Sequence, residues 1–213
     1  MIDDFATKRL TRKQREQQFR VNLVLDAALE IFAQKPFAQA TVEEIGERAE
    51  LSVGTLYNLF GSKENIYKNV VSRQQDAFFE RIERRMVKET SPTQQITGII
   101  EDHFDHFAEN LAAWRFHVYA TAGLSSDLRN ELFAEAQASL HAFLIKLTEL
   151  CERGIESGEF KSGLPPHLMA ISVNSIPHSF LQVIFERNDG EIRALLPAAL
   201  EATTRIVGTT SPR

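Results

Sequence analysis

The sequence predicts an all-α protein of about nine helices: an N-terminal three-helix helix-turn-helix unit, followed by a helical body. Three observations carry that reading. Apolar residues recur at spacings of three and four along most of the 213 residues, and no stretch alternates as a strand would. Serine, threonine, aspartate or proline opens most of the periodic stretches. Between Thr41 and Ile66 the pattern contracts to two short helices joined by a tight turn, and the second has a small, polar outer face.

The first helix is predicted to start at Thr11, where Thr11 and Gln14 offer a capping box. Its stripe runs through Val21, Val24, Leu25, Ala28, Ile31 and Phe32, and Pro36 ends it. Thr41 and Glu44 repeat the capping box for a second helix, which buries Val42, Ile45 and Ala49. Glu50-Leu51-Ser52 is too short for anything but a turn, and Ser52 caps the third helix. In that helix Val53, Leu56 and Phe60 point inward, toward the stripe of the first. Ser62 caps a fourth, uninterrupted helix from Lys63 to about Glu89. Residues 10–62 are therefore expected to form the DNA-binding domain and residues 63–208 the body, with 63–89 as connector.

Ser91-Pro92-Thr93-Gln94 combines an N-cap, a first-turn proline and a capping-box glutamine, so a fifth helix runs from there to about Asn110. A short helix covers 112–122. A long one follows from Asp127 to Ser157 with Phe133, Ala136, Leu140, Phe143, Leu144, Leu147 and Cys151 on one stripe, and Gly158 ends it. Pro165 opens an eighth helix that is apolar on most sides around Pro177. Asp189 is expected to cap the last, which carries Ile192, Leu195, Leu196, Ala199, Leu200, Thr203, Ile206 and Val207.

Charge distribution separates the two parts. The net charge is −5, yet Lys8, Arg9, Arg12, Lys13, Arg15 and Arg20 face a single acid, Glu16, between residues 8 and 20. Residues 1–72 balance ten basic against ten acidic side chains, so the remainder carries the deficit. A basic arm beside a recognition helix is an electrostatic footprint for DNA, and Arg12, Arg15 and Arg20 are the candidate phosphate contacts. Gly54 and Thr55 let the backbone approach DNA at a helix N-terminus, Ser52 and Val53 lie at the same end, and Thr41, at the cap of the second helix, is a further candidate contact. Asn58 can pair bidentately with adenine, and the Thr55 methyl can meet a thymine methyl. Tyr57 and Lys63 suit phosphate oxygens, which fix register.

The segment from Leu25 to Tyr67 resembles the DNA-binding domain of the TetR family of one-component bacterial repressors. The most specific piece is Ser-Val-Gly-Thr-Leu-Tyr-Asn-Leu-Phe-Gly-Ser-Lys-Glu from Ser52 to Glu64, with Thr41 at the usual cap of the second helix. Three departures stand out: Pro36 for a glycine, Glu50 for the turn glycine, and Leu59 where histidine is common. The resemblance implies a homodimer on a palindromic double-stranded operator, with the two recognition helices about 34–36 Å apart. It also implies a small-molecule pocket in the body whose occupant releases DNA.

For that pocket the candidate contacts are Phe104, Phe107, Trp114, His117, Phe143, Asn174 and His178, a largely aromatic set suited to an apolar or aromatic effector. For the dimer interface they are Ile176, Phe180, Ile184, Leu196, Leu200 and Thr203, on the last two helices. No cofactor, metal or catalytic residue is assigned. His103 and His106 share a helix face, but no Glu-x-x-His pair accompanies any of the six histidines. No glycine-rich phosphate loop, nucleophile elbow or zinc-protease motif is present. A single cysteine, Cys151, excludes an intrachain disulfide. Without an apolar run of 18 residues or a signal-peptide pattern, a soluble cytoplasmic protein with no membrane partner is expected. The competing reading is a helical protein-interaction adaptor that keeps the hairpin without DNA binding.

Overall fold

The computed structural model describes residues 11–86, 91–110, 112–113, 115–116, 124–161, 163–187 and 191–208. Among them are α1 (Arg12–Phe32), α2 (Val42–Arg48), α3 (Val53–Phe60), α4 (Lys63–Met86), α5 (Pro92–Glu109), α6 (Ser126–Glu156), α7 (Pro166–Arg187) and α8 (Leu196–Val207). Short 3-10 turns occupy Phe37–Gln39 and Ile192–Leu195, and no strand occurs among the described residues. Most of the short helix expected over 112–122 lies outside them, as does Asp189. The last α-helix therefore begins later than expected, after a 3-10 turn and with a proline in its first turn.

Local capping chemistry sets most helix starts. Thr11, Thr41 and Ser91 each accept from the backbone N–H three residues on, while Gln14, Glu44 and Gln94 accept from the cap's own N–H. Ser52 and Ser125 cap α3 and α6 with the hydroxyl alone. Gly158 takes the positive φ that ends α6.

Two apolar cores result. The first joins Val24, Leu25, Ala28 and Phe32 of α1 to Val42 and Ile45 of α2 and to Leu56 of α3, with Val21, Ile31, Val53 and Phe60 partly buried at its edge. Ile66, Tyr67 and Val70 from the start of α4 complete it, together with Phe116, Leu124, Leu128 and Leu132. The Phe32 and Tyr67 rings meet edge-on at 4.8 Å, and Tyr67 and Phe116 lie 5.3 Å apart. The second core collects Ile82 of α4, Ile96, Ile99, Ile100 and Phe104 of α5, and the inner faces of α6, α7 and α8. Cys151 is buried in it, and burial pushes its thiol up to about 12.

Charge clamps α4 onto α5. Arg85 forks onto Asp102 through two bonds of 3.0 Å, and Arg81 reaches the same carboxylate at 3.4 Å and Glu109 at 2.7 Å. Arg85 lies flat on α5 because residue 98 is glycine: a Cβ there would stand 2.6 Å from its Nε.

The turn between α2 and α3 closes as a Schellman motif. Leu51 N–H donates to the Gly46 carbonyl at 2.9 Å, and Glu50 N–H to that of Glu47 at 3.2 Å. Glu50 adopts φ 55, the left-handed conformation that a glycine would take without strain. The Leu51 carbonyl oxygen would lie 2.9 Å from a Cβ on Gly46, so α2 and the turn touch backbone to backbone. Opposite outcomes are expected in urea denaturation. Glu50→Gly stabilises the fold by up to about 1 kcal/mol, whereas Gly46→Ala destabilises it by about 1–3 kcal/mol.

Candidate nucleic-acid interface and body cavity

Because Leu56 is fully buried and Val53, Leu59 and Phe60 pack at the edge of the first core, α3 presents its other side to solvent. That side carries Ser52, Gly54, Tyr57 and Asn58, all exposed, with Thr55 half-buried beside them. The Ser52 hydroxyl accepts from Thr55 N–H at 3.2 Å and lies 2.9 Å from the Thr55 hydroxyl, which fixes the N-terminal turn. A Cβ on Gly54 would meet nothing closer than 3.9 Å. Of the residues singled out in the sequence, Val53 therefore turns toward the core, and Thr41 remains exposed while its hydroxyl caps α2.

Residues 11–20 of α1 are exposed, so its first turns project beyond the three-helix core carrying Arg12, Lys13, Arg15 and Arg20. Arg20 pairs with Glu16 at 2.7 Å. Phe19 is exposed among these charges, a feature the apolar stripe did not foretell.

Lys63 departs from its expected place at phosphate. Its ammonium donates to the carbonyls of Phe37 at 2.9 Å and Ala40 at 2.8 Å, and lies 4.2 Å from the centre of the Phe37 ring. The first residue of the 3-10 turn and the residue that follows it thus share one donor, Lys63 at the start of α4.

A cavity of about 370 Å³ lies between the two cores. Val71, Gln74, Gln75, Phe78 and Phe79 of α4 form one wall, and His106 and Phe107 of α5 another. Leu132, Ala136, Leu140 and Phe143 of α6, with Asn174 and His178 of α7, line the far side, and Arg129 stands at the first turn of α6. Four expected contacts are thus brought together: Phe107, Phe143, Asn174 and His178. Phe104 is instead fully buried in the second core, away from the lining. Trp114 and His117 lie outside the described residues. No residue of α4 was among the expected contacts, although Phe78-Phe79, two adjacent aromatics within the mostly polar stretch 72–81, was a signal.

The residues matched by the family model "Bacterial regulatory proteins, tetR family" are 24–70, which take in the end of α1, all of α2 and α3, and the start of α4. The fatty acid metabolism regulator protein of Bacillus subtilis (strain 168) is 30% identical over 147 residues, spanning 68% of this chain and 73% of that protein. The chain belongs to the TetR family. Two solved structures share its fold. The transcriptional regulator FadR from Bacillus subtilis, in complex with stearoyl-CoA, has a TM-score of 0.73 at 23% identity, covering 87% of this chain and 97% of that one. The SmeT–triclosan complex has a TM-score of 0.74 at 21% identity, covering 88% and 91%; SmeT is the repressor of a Stenotrophomonas maltophilia multidrug efflux pump.

In this TetR-family chain the expected interface residues divide. Ile176 and Thr203 are buried within the subunit's own core, and the Thr203 hydroxyl donates to the Ala199 carbonyl at 2.8 Å, so neither can meet a partner. Both fall on the inner side of their helices, a choice that an almost wholly apolar helix does not reveal by periodicity. Phe180, Leu196 and Leu200 are partly buried against that core. The side chain of Ile184 lies outside those described. Exposed apolar side chains occur elsewhere: Ile145 and Ile155 on α6, Leu164 before α7, and Leu168 and Ile171 on α7.

The histidines of α5 are held neutral. His103 is buried, its Nδ1 is 2.9 Å from the Ile99 carbonyl, and burial lowers it to about 3. Its Nε2 is buried without a hydrogen-bond partner, and its ring meets those of Phe78 and His178 edge-on. His106 and His178 are also lowered by burial. Among the described residues no group of three histidine, cysteine or acidic side chains is placed to hold a metal. Below pH 6.5 the unfolded chain gains protons that the folded histidines refuse, so stability falls with falling pH. Unfolding measured from pH 6.5 down to 4.5, before carboxylates such as Glu109 protonate, should show that loss. In His103→Leu the slope is expected to be shallower.

Proposed function

We propose that this chain is a ligand-responsive repressor that binds a palindromic operator as a homodimer, places α3 in the major groove, and is released when an apolar small molecule enters the cavity between its cores. The observation that carries DNA binding is the outer face of α3. Gly54, Tyr57 and Asn58 stand exposed on a helix anchored by buried Leu56, with the basic first turns of α1 in the same unit. Asn58 reads a base edge, while Tyr57 and the α1 arginines fix register on phosphates. Lys63, bonded to two carbonyls, holds this unit together instead.

The effector reading rests on the cavity and on relatives whose structures hold stearoyl-CoA and triclosan. Its lining is drawn from both cores, so an occupant favours one relative placement of them over another. Operator must then weaken effector binding by the factor with which effector weakens operator binding. The dimer is assigned to the second half of α6 and the first half of α7, where Ile145, Ile155, Leu168 and Ile171 are exposed. Ser172, Ser175 and Ser179 return their hydroxyl protons to carbonyls four residues back, leaving α7 a small, internally satisfied surface for another helix.

Gly54→Ala tests the α3 assignment with little structural side effect, since the new methyl has open space and better helix propensity. Unchanged or slightly higher thermal stability is expected, with at least tenfold weaker operator binding in a mobility shift against the chain's own upstream region. Retained affinity removes α3 from the interface; a wild-type chain that shifts no DNA there favours the adaptor reading. Asn58→Ala is expected to relax base preference, whereas Tyr57→Phe weakens cognate and scrambled duplexes alike. For the dimer, Leu168→Glu should convert the particle to a monomer by light scattering and cost operator affinity; an intact dimer moves the interface elsewhere.

A further inference from the structure

The cavity's polar groups are unequal. Among the described residues six polar side chains line it, namely Gln74, Gln75, His106, Arg129, Asn174 and His178, and no carboxylate is among these six. Arg129 alone of the six carries a permanent charge. It is exposed on the first turn of α6, and one Nη donates to the Leu124 carbonyl at 3.2 Å. Two acids stand two residues away along the helix: Glu131 is paired with Lys68 at 2.5 Å, and Asp127 is exposed in the first turn. The opposite end of the cavity is formed by Phe79, Phe107, Phe143 and His178 against the second core.

We infer that the effector is an amphipathic anion, with an apolar body lodged among Phe79, Phe107 and Phe143 and an acidic head paired with Arg129 at the rim. The inference rests on the cavity being the effector site, as proposed above. A guanidinium offers a planar fork that matches a carboxylate or a phosphate, and among the described lining residues no carboxylate competes for it. A cationic effector would meet Arg129 with no acid among the described lining residues to offset it. Desolvation shifts the His106 and His178 imidazoles toward the neutral form, which supplies hydrogen-bonding capacity without a second positive centre. At about 30 Å³ per water-sized group, a cavity of about 370 Å³ accepts a body of about a dozen non-hydrogen atoms. Two sources supply this chemistry: a free medium-chain carboxylate, or an acyl thioester whose carrier bears phosphates.

Calorimetric titration of the full-length chain with decanoate, decanol, decanoyl-CoA and CoA alone decides the matter. At least one of decanoate and decanoyl-CoA is expected to bind tenfold or more tightly than decanol, and whichever binds more tightly names the source. Arg129→Gln should reduce that preference to within about twofold, and Arg129→Lys should restore part of it. Circular dichroism confirms that each variant is folded. If Arg129 serves only to hold the Leu124 carbonyl, stability changes and the preference does not. Three results overturn the inference: decanol binding as tightly as both anions, a preference that survives Arg129→Gln, or no binding by any of the four. Arg129-dependent binding that leaves the operator complex intact would instead overturn ligand-driven release and leave the head-group assignment standing.

Discussion

The structure depends on α4 being one helix with its two ends built into two different cores. Ile66, Tyr67 and Val70 are fully buried with the recognition unit, and Ile82 is fully buried with the body. At 1.5 Å per residue its 24 residues span about 36 Å, so a tilt of one end displaces the other as a lever does. The forked pairing of Arg85 with Asp102 and the reach of Arg81 to Glu109 fasten the far end to α5. Arg81, Arg85 and Asp102 are largely shielded, and Gly98 clears the ground beneath Arg85, so the Arg85–Asp102 pairing is more than a surface pair screened by salt. α3 inherits its position from this arrangement, because Leu56 packs into the same core as the first turns of α4.

Electrostatics divides along the same line. The chain is acidic overall, yet the projecting start of α1 is basic and stands in the unit that carries α3. An acidic body repels a polyanion wherever it does not belong, and the basic segment attracts it at one face, which orients the encounter before any base is read. Phe19 and the arginines of α1 are exposed together, so this segment is stabilised by its cap at Thr11 and by its continuity with the buried half of the helix.

Much of this was legible in the sequence, and the reason is distance along the chain. Caps at Thr11, Thr41, Ser52 and Ser91 involve partners three residues away, so spacing reveals them. The inward stripe of α1 and the burial of Leu56 follow from a period that each helix carries by itself. What stayed hidden depends on residues far apart. Lys63 looks like a phosphate contact until Phe37 and Ala40, more than twenty residues earlier, turn their carbonyls toward it. Ile176 and Thr203 look like interface residues because their helices are apolar on several sides, and only packing shows which side is taken. Phe104 and Phe107 lie three apart on α5, yet one is core and the other lines the cavity.

The position of the cavity, more than its chemistry, makes coupling unavoidable. Val71 packs on the recognition core and Leu132 belongs to it, whereas Phe107 and Phe143 belong to the body core, and all four line the same space. The shape of that space is therefore a function of how the two cores are placed. A ligand that fills it well in one placement fits others less well, and this difference in affinity is the only quantity by which a ligand can shift a conformational equilibrium. Packed interiors do not deform continuously, so a mismatch is relieved by moving one core against the other rather than by a graded stretch. Since α4 crosses the junction and carries five of the lining residues, the movement that relieves the mismatch is also one that repositions α3.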